Sequence, residues 1–200
     1  MRKIWLDIGL HRGQTLELAI KQCPEFDLYV GVEPLDAMMQ KATELLQPYT
    51  TTKRVLLYNI ALDKLPDPTQ IIDQTFYEDC RRGSNKLGST LYSDKLPPQF
   101  RKELPVMCMD IRTFFQDILQ VQPDDQITLK MDVEGKEYDL FDALIESGWI
   151  KQVTKIYSEW HWNKVPSITK ERHNEILIKL NKLGYNLKGK SREDEFYKGL

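Results

Sequence analysis

The sequence predicts an α/β fold in which a mostly parallel, seven-stranded sheet carries helices on both faces. Three observations lead there. Apolar runs of strand length alternate with stretches of helical periodicity, the pattern of βαβ units. Several of these runs end on an acidic or small residue, and glycines stand where helices should stop. The 200 residues are enough for a single domain over 1–200 that buries a core without disulfides or metals.

Taken in order, residues 4–8 read as a first strand, 13–22 as a helix, 28–32 as a second strand, 37–46 as a second helix and 55–60 as a third strand. A second series follows, with 127–131 as a buried strand, 137–146 as a helix stopped by Gly148, and 153–158 as another strand. Over 169–183 a helix places Ile176, Leu177, Leu180 and Leu183 on one face and ends at Gly184. Between the two series, 71–77 and 104–109 read as short strands flanking a long, mobile insertion at about 80–103. From Arg81 to Lys102 it holds Arg81, Arg82, Lys86, Lys95, Arg101 and Lys102 against Asp94 alone.

Composition narrows the partners. With 28 Lys and Arg against 30 Asp and Glu, the formal charge of −2 supplies no global field for nucleic acid or an anionic membrane. Cys23, Cys80 and Cys108 form no Cys-x-x-Cys pair, so neither a disulfide framework nor a zinc site is expected, and a reducing, cytoplasmic location is. No apolar run reaches the length of a membrane span or of a signal-peptide core.

The turn Asp7-Ile8-Gly9-Leu10-His11-Arg12-Gly13 falls where the first strand passes into a helix, the place where open α/β sheets leave a ligand crevice. A dinucleotide site needs Gly-x-Gly-x-x-Gly there, and position 11 is histidine, which disfavours a dinucleotide oxidoreductase. Asp-x-Gly-x-x-x-Gly suits a cofactor bearing an amino acid in place of phosphates, such as S-adenosylmethionine. Glu33, 20 residues after Gly13, stands where a carboxylate can accept both hydroxyls of a ribose. At the third strand's end Asn59 or Asp63 can meet an adenine with Ala61 beneath it; ordinary turn chemistry is the alternative.

Several pieces occur in the order in which they stand in FkbM-type methyltransferases: Asp7-Ile8-Gly9 with Gly13-Gln14-Thr15, then Val32-Glu33-Pro34, then Asn59-Ile60-Ala61-Leu62. Gly88-Ser89-Thr90-Leu91 and the run from Leu129 to Glu137, Leu-Lys-Met-Asp-Val-Glu-Gly-Lys-Glu, complete the series. The chain resembles that family over about residues 3–160. The resemblance implies a Rossmann-like class I fold and O-methylation of a hydroxyl on a sugar, glycan or other small metabolite. It implies cofactor contacts at Asp7, Gly9, His11, Gly13, Thr15, Glu33, Asn59, Ala61 and Asp132. Leu10-His11 replaces the family's usual Ala-Asn, which leaves a degenerate cofactor-binding module as the alternative function.

Methyl transfer to an alcohol needs a positioned base. Asp132 and Glu134, at the end of the strand over 127–131, are the candidate catalytic carboxylates, with capping of the following helix as their structural alternative. The run Ser158-Glu159-Trp160-His161-Trp162 adds candidates at the next strand end. His161 can accept a proton at neutral pH with Glu159 orienting it, and Trp160 and Trp162 can either stack on a sugar or finish the core. Asp132, Glu134 and Glu159 also make an oxygen donor set for Mg²⁺. Arg81, Arg82 and Lys86 are expected to clamp an acidic substrate. His173, on the apolar side of its helix, is expected to be structural.

Overall fold

The computed structural model describes residues 1–187; residues 188–200 of the expected domain lie outside the described residues. Five strands form one all-parallel sheet: β1 (Lys3–Ile8), β2 (Leu28–Val32), β3 (Val55–Tyr58), β7 (Gln126–Met131) and β8 (Val153–Ser158), in the order β3-β2-β1-β7-β8. Because β2 and β3 lie on one side of β1 and β7 and β8 on the other, strand order reverses between β1 and β7. That switch point opens a crevice at the carboxyl ends of these two strands.

Among the described residues the expected single sheet of seven strands is not formed. The chain breaks after Tyr58, and β4 (Ala61–Asp63) leaves the main sheet to pair in parallel with β6 (Arg101–Asp110). The long strand β5 (Ile71–Asp79) pairs antiparallel with β6, giving a second sheet ordered β4-β6-β5. Arg101 and Lys102 therefore belong to β6 and not to a loop.

Alternation along the central strands sends side chains to two cores. Ile4, Leu6, Ile8, Val30 and Val32 face a large core completed by α4 (Glu137–Ser147) and α5 (Lys170–Lys182). Trp5 and Tyr29 face the opposite side, packed under α1 (Gln14–Gln22) and α2 (Asp36–Leu46) through Leu16, Ala19, Ala42 and Leu46. Helices thus cover both faces, as a parallel sheet buried on both sides demands. A segment the sequence pattern leaves as loop, α3 (Ile111–Thr113) continued by a π turn over Phe114–Ile118, buries Ile111, Phe114 and Phe115 in the large core. Its apolar residues are too few for a periodic signal.

Helix ends follow local chemistry. Gly148 closes α4 in the left-handed region, at φ +83, and Thr169 caps α5 by accepting the Arg172 N–H at 3.1 Å. Beyond α5, Gly184 takes φ +96 as expected, but Leu183 is half exposed and does not share the buried face of Ile176 and Leu180. No helix among the described residues is long and apolar enough to cross a membrane.

The turns after β1 and β7 touch. Gly9 has φ +84, and a Cβ there would lie 1.7 Å from the backbone oxygen of Asp132. The Gly9 and Leu10 N–H groups both donate to the Val32 oxygen at 3.0 Å, and the Asp132 N–H donates to the Ile8 oxygen at 3.0 Å. Any side chain at position 9 must push two strand ends apart. Gly9→Ala is expected to cost about 4 kcal/mol or more, or to prevent folding, measured by chemical denaturation against the wild type.

Candidate active site

At the switch point lies a solvent-open cleft of about 660 Å³, bordered by the turns after β1, β2, β3 and β7 and by β4. Gly9, His11, Glu33 and Ala61 line it, as do Asp132 and Glu134. Asp7, Gly13, Thr15 and Asn59 are not among its lining residues. Gly13 instead precedes α1 at φ +83 and lets the turn approach α2, where a Cβ would meet that of Ala42 at 3.2 Å. Thr15 is half-buried in the first turn of α1. Asn59 makes turn contacts, donating from Nδ2 to the Glu33 and Pro34 oxygens at 2.9 and 3.2 Å. Asp63 is held by Lys136 at 2.7 Å.

Buried Asp7 makes an ion pair with Lys130 at 3.0 Å, and the same ammonium donates to the Gly9 oxygen at 2.8 Å. Burial still outweighs that cation and pushes the Asp7 pKa up to about 6. Lys130 is thus the post on which the first turn rests, a role its position inside an apolar strand conceals.

Glu33 is 6% exposed and turns its carboxylate back over the first turn. Oε2 accepts the His11 N–H and Oε1 the Leu35 N–H, both at 2.9 Å. Each oxygen keeps acceptor capacity. Burial raises its pKa to about 7, opposed by these two N–H groups and by Lys130. His11, in the left-handed region at φ +53, bonds the Asn85 oxygen through Nε2 at 2.9 Å and so ties the first turn to the insertion.

The insertion is anchored. Thr90 exchanges backbone bonds with Tyr77 at 2.8 and 3.0 Å, and its hydroxyl donates to the Glu134 oxygen at 2.8 Å. Its positive charge is largely answered nearby: Arg81 chelates Asp79, Lys86 contacts Glu78, Lys95 contacts Glu134, and Arg101 pairs with Glu103. Of the three expected clamp residues, Lys86 borders the cleft, Arg82 is exposed, and Arg81 is committed to a buried carboxylate.

Beyond Asp132 the chain turns sharply, with Glu134 at φ +57 and Gly135 at φ +126. Fully buried Glu137 holds this turn by accepting the Val133 N–H at 3.1 Å and the Gly135 N–H at 3.1 and 3.2 Å. The same carboxylate lies 2.8 Å from Nδ1 of His161, which is also fully buried. On its other side, His161 Nε2 faces Glu134 and Glu159 at 3.2 Å each and Asp132 at 3.8 Å. They are charge contacts; by hydrogen-bond geometry Nε2 has no partner among the described residues. The four candidate catalytic residues converge, and Glu137, which the sequence places at a helix start, accepts from the turn that carries Glu134 and contacts His161.

Electrostatics changes the reading of one of them. Burial disfavours a charged imidazole, but Glu137, Glu159 and Glu134 outweigh it and hold the His161 pKa up at about 10. At neutral pH the imidazole therefore carries a proton, contrary to the ready base expected from its unperturbed value. Its neighbour Glu159 is held down to about 2, chiefly by His161, while burial raises Asp132 and Glu134. Asp132, raised and facing the cleft, is the better proton acceptor.

The aromatic residues divide. Trp160 is 5% exposed, its ring packed against Phe141 and Tyr138, so it completes the core and presents no face to a ligand. Trp162 is half-buried and stacks on His173 with centroids 5.8 Å apart. His173 is buried, 3.3 Å from the Tyr138 hydroxyl.

A family model described as Methyltransferase FkbM domain matches residues 7–187. Among solved structures, the crystal structure of Methyltransferase FkbM from Methylobacillus flagellatus KT is similar, with a TM-score of 0.50 and 16% identity. The match covers 88% of this chain but 37% of that one, and at this identity it speaks for the fold alone. No curated protein matches the chain.

Glu33 makes a pH-dependent contribution whose sign is fixed. With a pKa raised from 4.5 to about 7 on folding, it favours the folded state fully below about 4.5, and that contribution is lost as pH rises through about 7. Glu33→Gln should therefore gain on the wild type by on the order of 2 kcal/mol between pH 4.5 and 8, read from paired denaturation curves. A difference independent of pH would contradict the shift.

Proposed function

We propose, from the premise that this chain belongs to the FkbM methyltransferase family, that it transfers the methyl group of S-adenosylmethionine to a hydroxyl of a sugar, glycan or other small metabolite. Family membership supports a methyltransferase over the oxidoreductase reading. The cofactor and acceptor are our reading of the site. The observation that carries it is the cleft running from buried Glu33 to the carboxylates of Asp132 and Glu134.

The residues present fit such a cofactor. Leu35, Ala61, Leu62 and Phe76 give an apolar slot for a flat base next to Glu33, whose oxygens retain capacity for two ribose hydroxyls. Gly9 in the lining offers backbone without a side chain. Asp132 and Glu134 put negative charge at the far end, suited to a sulfonium cation. When bound, the cofactor supplies an electrophilic methyl on that sulfonium.

The chain's own work is then positioning and proton removal. Asp132 would take the hydroxyl proton as the oxygen–carbon bond forms and the sulfur–carbon bond breaks. Half-buried Trp162 and the cleft-lining Lys86 are the substrate contacts from the sequence that the geometry leaves in play. Trp160 is not among them.

Calorimetry with S-adenosylhomocysteine tests the cofactor reading: the wild type should bind, and Glu33→Gln should bind roughly tenfold or more weakly, as loss of hydrogen bonds to a charged group requires. No binding at millimolar ligand would remove it. For the chemistry, Asp132→Asn should slow labelled-methyl transfer to a saccharide pool by about 100-fold. Labelling at the wild-type rate would exclude Asp132 as the base.

A further inference from the structure

We propose that Leu87 covers the flat base of the nucleoside cofactor, carried over the cleft by a strap of residues 84–88 that His11 latches in place. The inference rests on the cofactor reading above and adds a cover to the same site.

The exposure of Leu87 calls for a partner. Single apolar side chains on a surface are ordinary. Leu87 is of another kind: it is 58% exposed yet lines the cleft, where Leu35, Leu62 and Phe76 are buried. The cleft therefore has an apolar floor and, from the insertion, a largely uncovered apolar side chain. A flat base bound on that floor gives Leu87 something to pack against.

The two ends of the strap fix where Leu87 stands. At one end His11 Nε2 donates to the Asn85 oxygen at 2.9 Å, and Arg12 donates to Asn85 Oδ1 at 3.2 Å. The backbone N–H of the same His11 donates to Glu33 Oε2 at 2.9 Å, so this end stands beside the carboxylate assigned to the ribose. Beyond the other end Thr90 exchanges backbone bonds with Tyr77, the neighbour of Phe76 in the apolar slot. Leu87 lies between these anchors, where ribose gives way to base.

The strap is built to hold its shape. Asn85 and Lys86 are both left-handed, at φ +51 and +67, a conformation that asparagine tolerates and lysine does not favour. Local bonds enforce it. Ser84 accepts the Leu87 N–H on its backbone oxygen at 3.0 Å and the Lys86 N–H on Oγ at 3.2 Å, while Ser89 Oγ donates to the Lys86 oxygen at 2.8 Å. Backbone strain held by its surroundings is a property of ligand clamps. At the foot of the strap Gly88 is wedged on the Asp79–Arg81 pair, where a Cβ would stand 2.6 Å from Asp79 Oδ2 and 2.7 Å from an Arg81 nitrogen. Arg81, expected to clamp a substrate, seats the strap instead. The Asn85 end is tied by two side chains, so the latch is there.

The test combines S-adenosylhomocysteine binding to the full chain with hydrogen exchange of the ligand-free chain. Leu87→Ser should weaken binding at least about tenfold, as expected when a leucine no longer gains burial. Thermal unfolding of the ligand-free variant should match the wild type, because the side chain is already exposed. Ile178→Ser, at a 54% exposed position on α5, is the control and should bind as the wild type does. His11→Asn keeps a left-handed residue and the backbone N–H to Glu33 but is too short for the Nε2 bond. It should speed hydrogen exchange over residues 84–88 and raise the dissociation rate of S-adenosylhomocysteine at least about tenfold. Wild-type affinity in Leu87→Ser overturns the cover, and wild-type exchange in His11→Asn overturns the latch. No binding by the wild type at millimolar ligand removes the cofactor reading and the cover together, so the wild-type titration tells that failure from failure of the strap alone.

Discussion

With the Asp132 oxygen only 1.7 Å from where a Gly9 Cβ would stand, the turn after β1 lies directly on the turn after β7. Everything in the candidate site depends on that contact. It sets the floor of the cleft, brings Asp132 beside the first turn, and positions Lys130 to reach both Asp7 and the Gly9 oxygen. Parallel strands on either side of a switch point would otherwise splay at their carboxyl ends. Here they are pinned by a missing side chain and a buried ammonium.

The second constraint is the cost of burying like charges. Four acidic residues, Asp7, Glu33, Asp132 and Glu134, gather at strand ends where burial penalises ionisation, beside the buried Glu137. The fold offsets part of this with backbone N–H groups, as at Glu33 and Glu137, and part with Lys95, Lys130 and His161. Such an arrangement is poor for stability and useful for chemistry, since it sets carboxylates with raised proton affinity beside a site for cationic ligands. The left-handed conformation of Glu134 is a further strain at the same place.

Much of this was legible in the sequence because βαβ units write their order into hydrophobic period. The five parallel strands, the four helices on the two faces and the Gly148 stop follow from pattern alone, and the Asp132 to Glu137 run borders the cleft. What escaped had weak local signals. Residues 59–60 look like the end of a strand, and only the tertiary pairing of Ala61 with Cys108 shows the chain changing sheets. The stretch from Arg81 to Lys102 reads as basic because its acidic partners, Glu78, Asp79, Glu103 and Glu134, lie beyond its two ends. Glu137 looked like a helix-start residue because nothing in spacing tells that His161 will fold onto it. The two tryptophans could not be separated by sequence; strand-end geometry buries Trp160 and leaves Trp162 at the edge.

The central claim is that one cleft joins a nucleoside-recognising carboxylate, Glu33, to a proton-accepting one, Asp132, across the Gly9 contact. A crystal structure of the chain grown with S-adenosylhomocysteine measures this directly. The account predicts both ribose hydroxyls within hydrogen-bonding distance of the Glu33 carboxylate and the sulfur turned toward Asp132. A nucleoside bound elsewhere, or a sulfur turned away from Asp132, would contradict it.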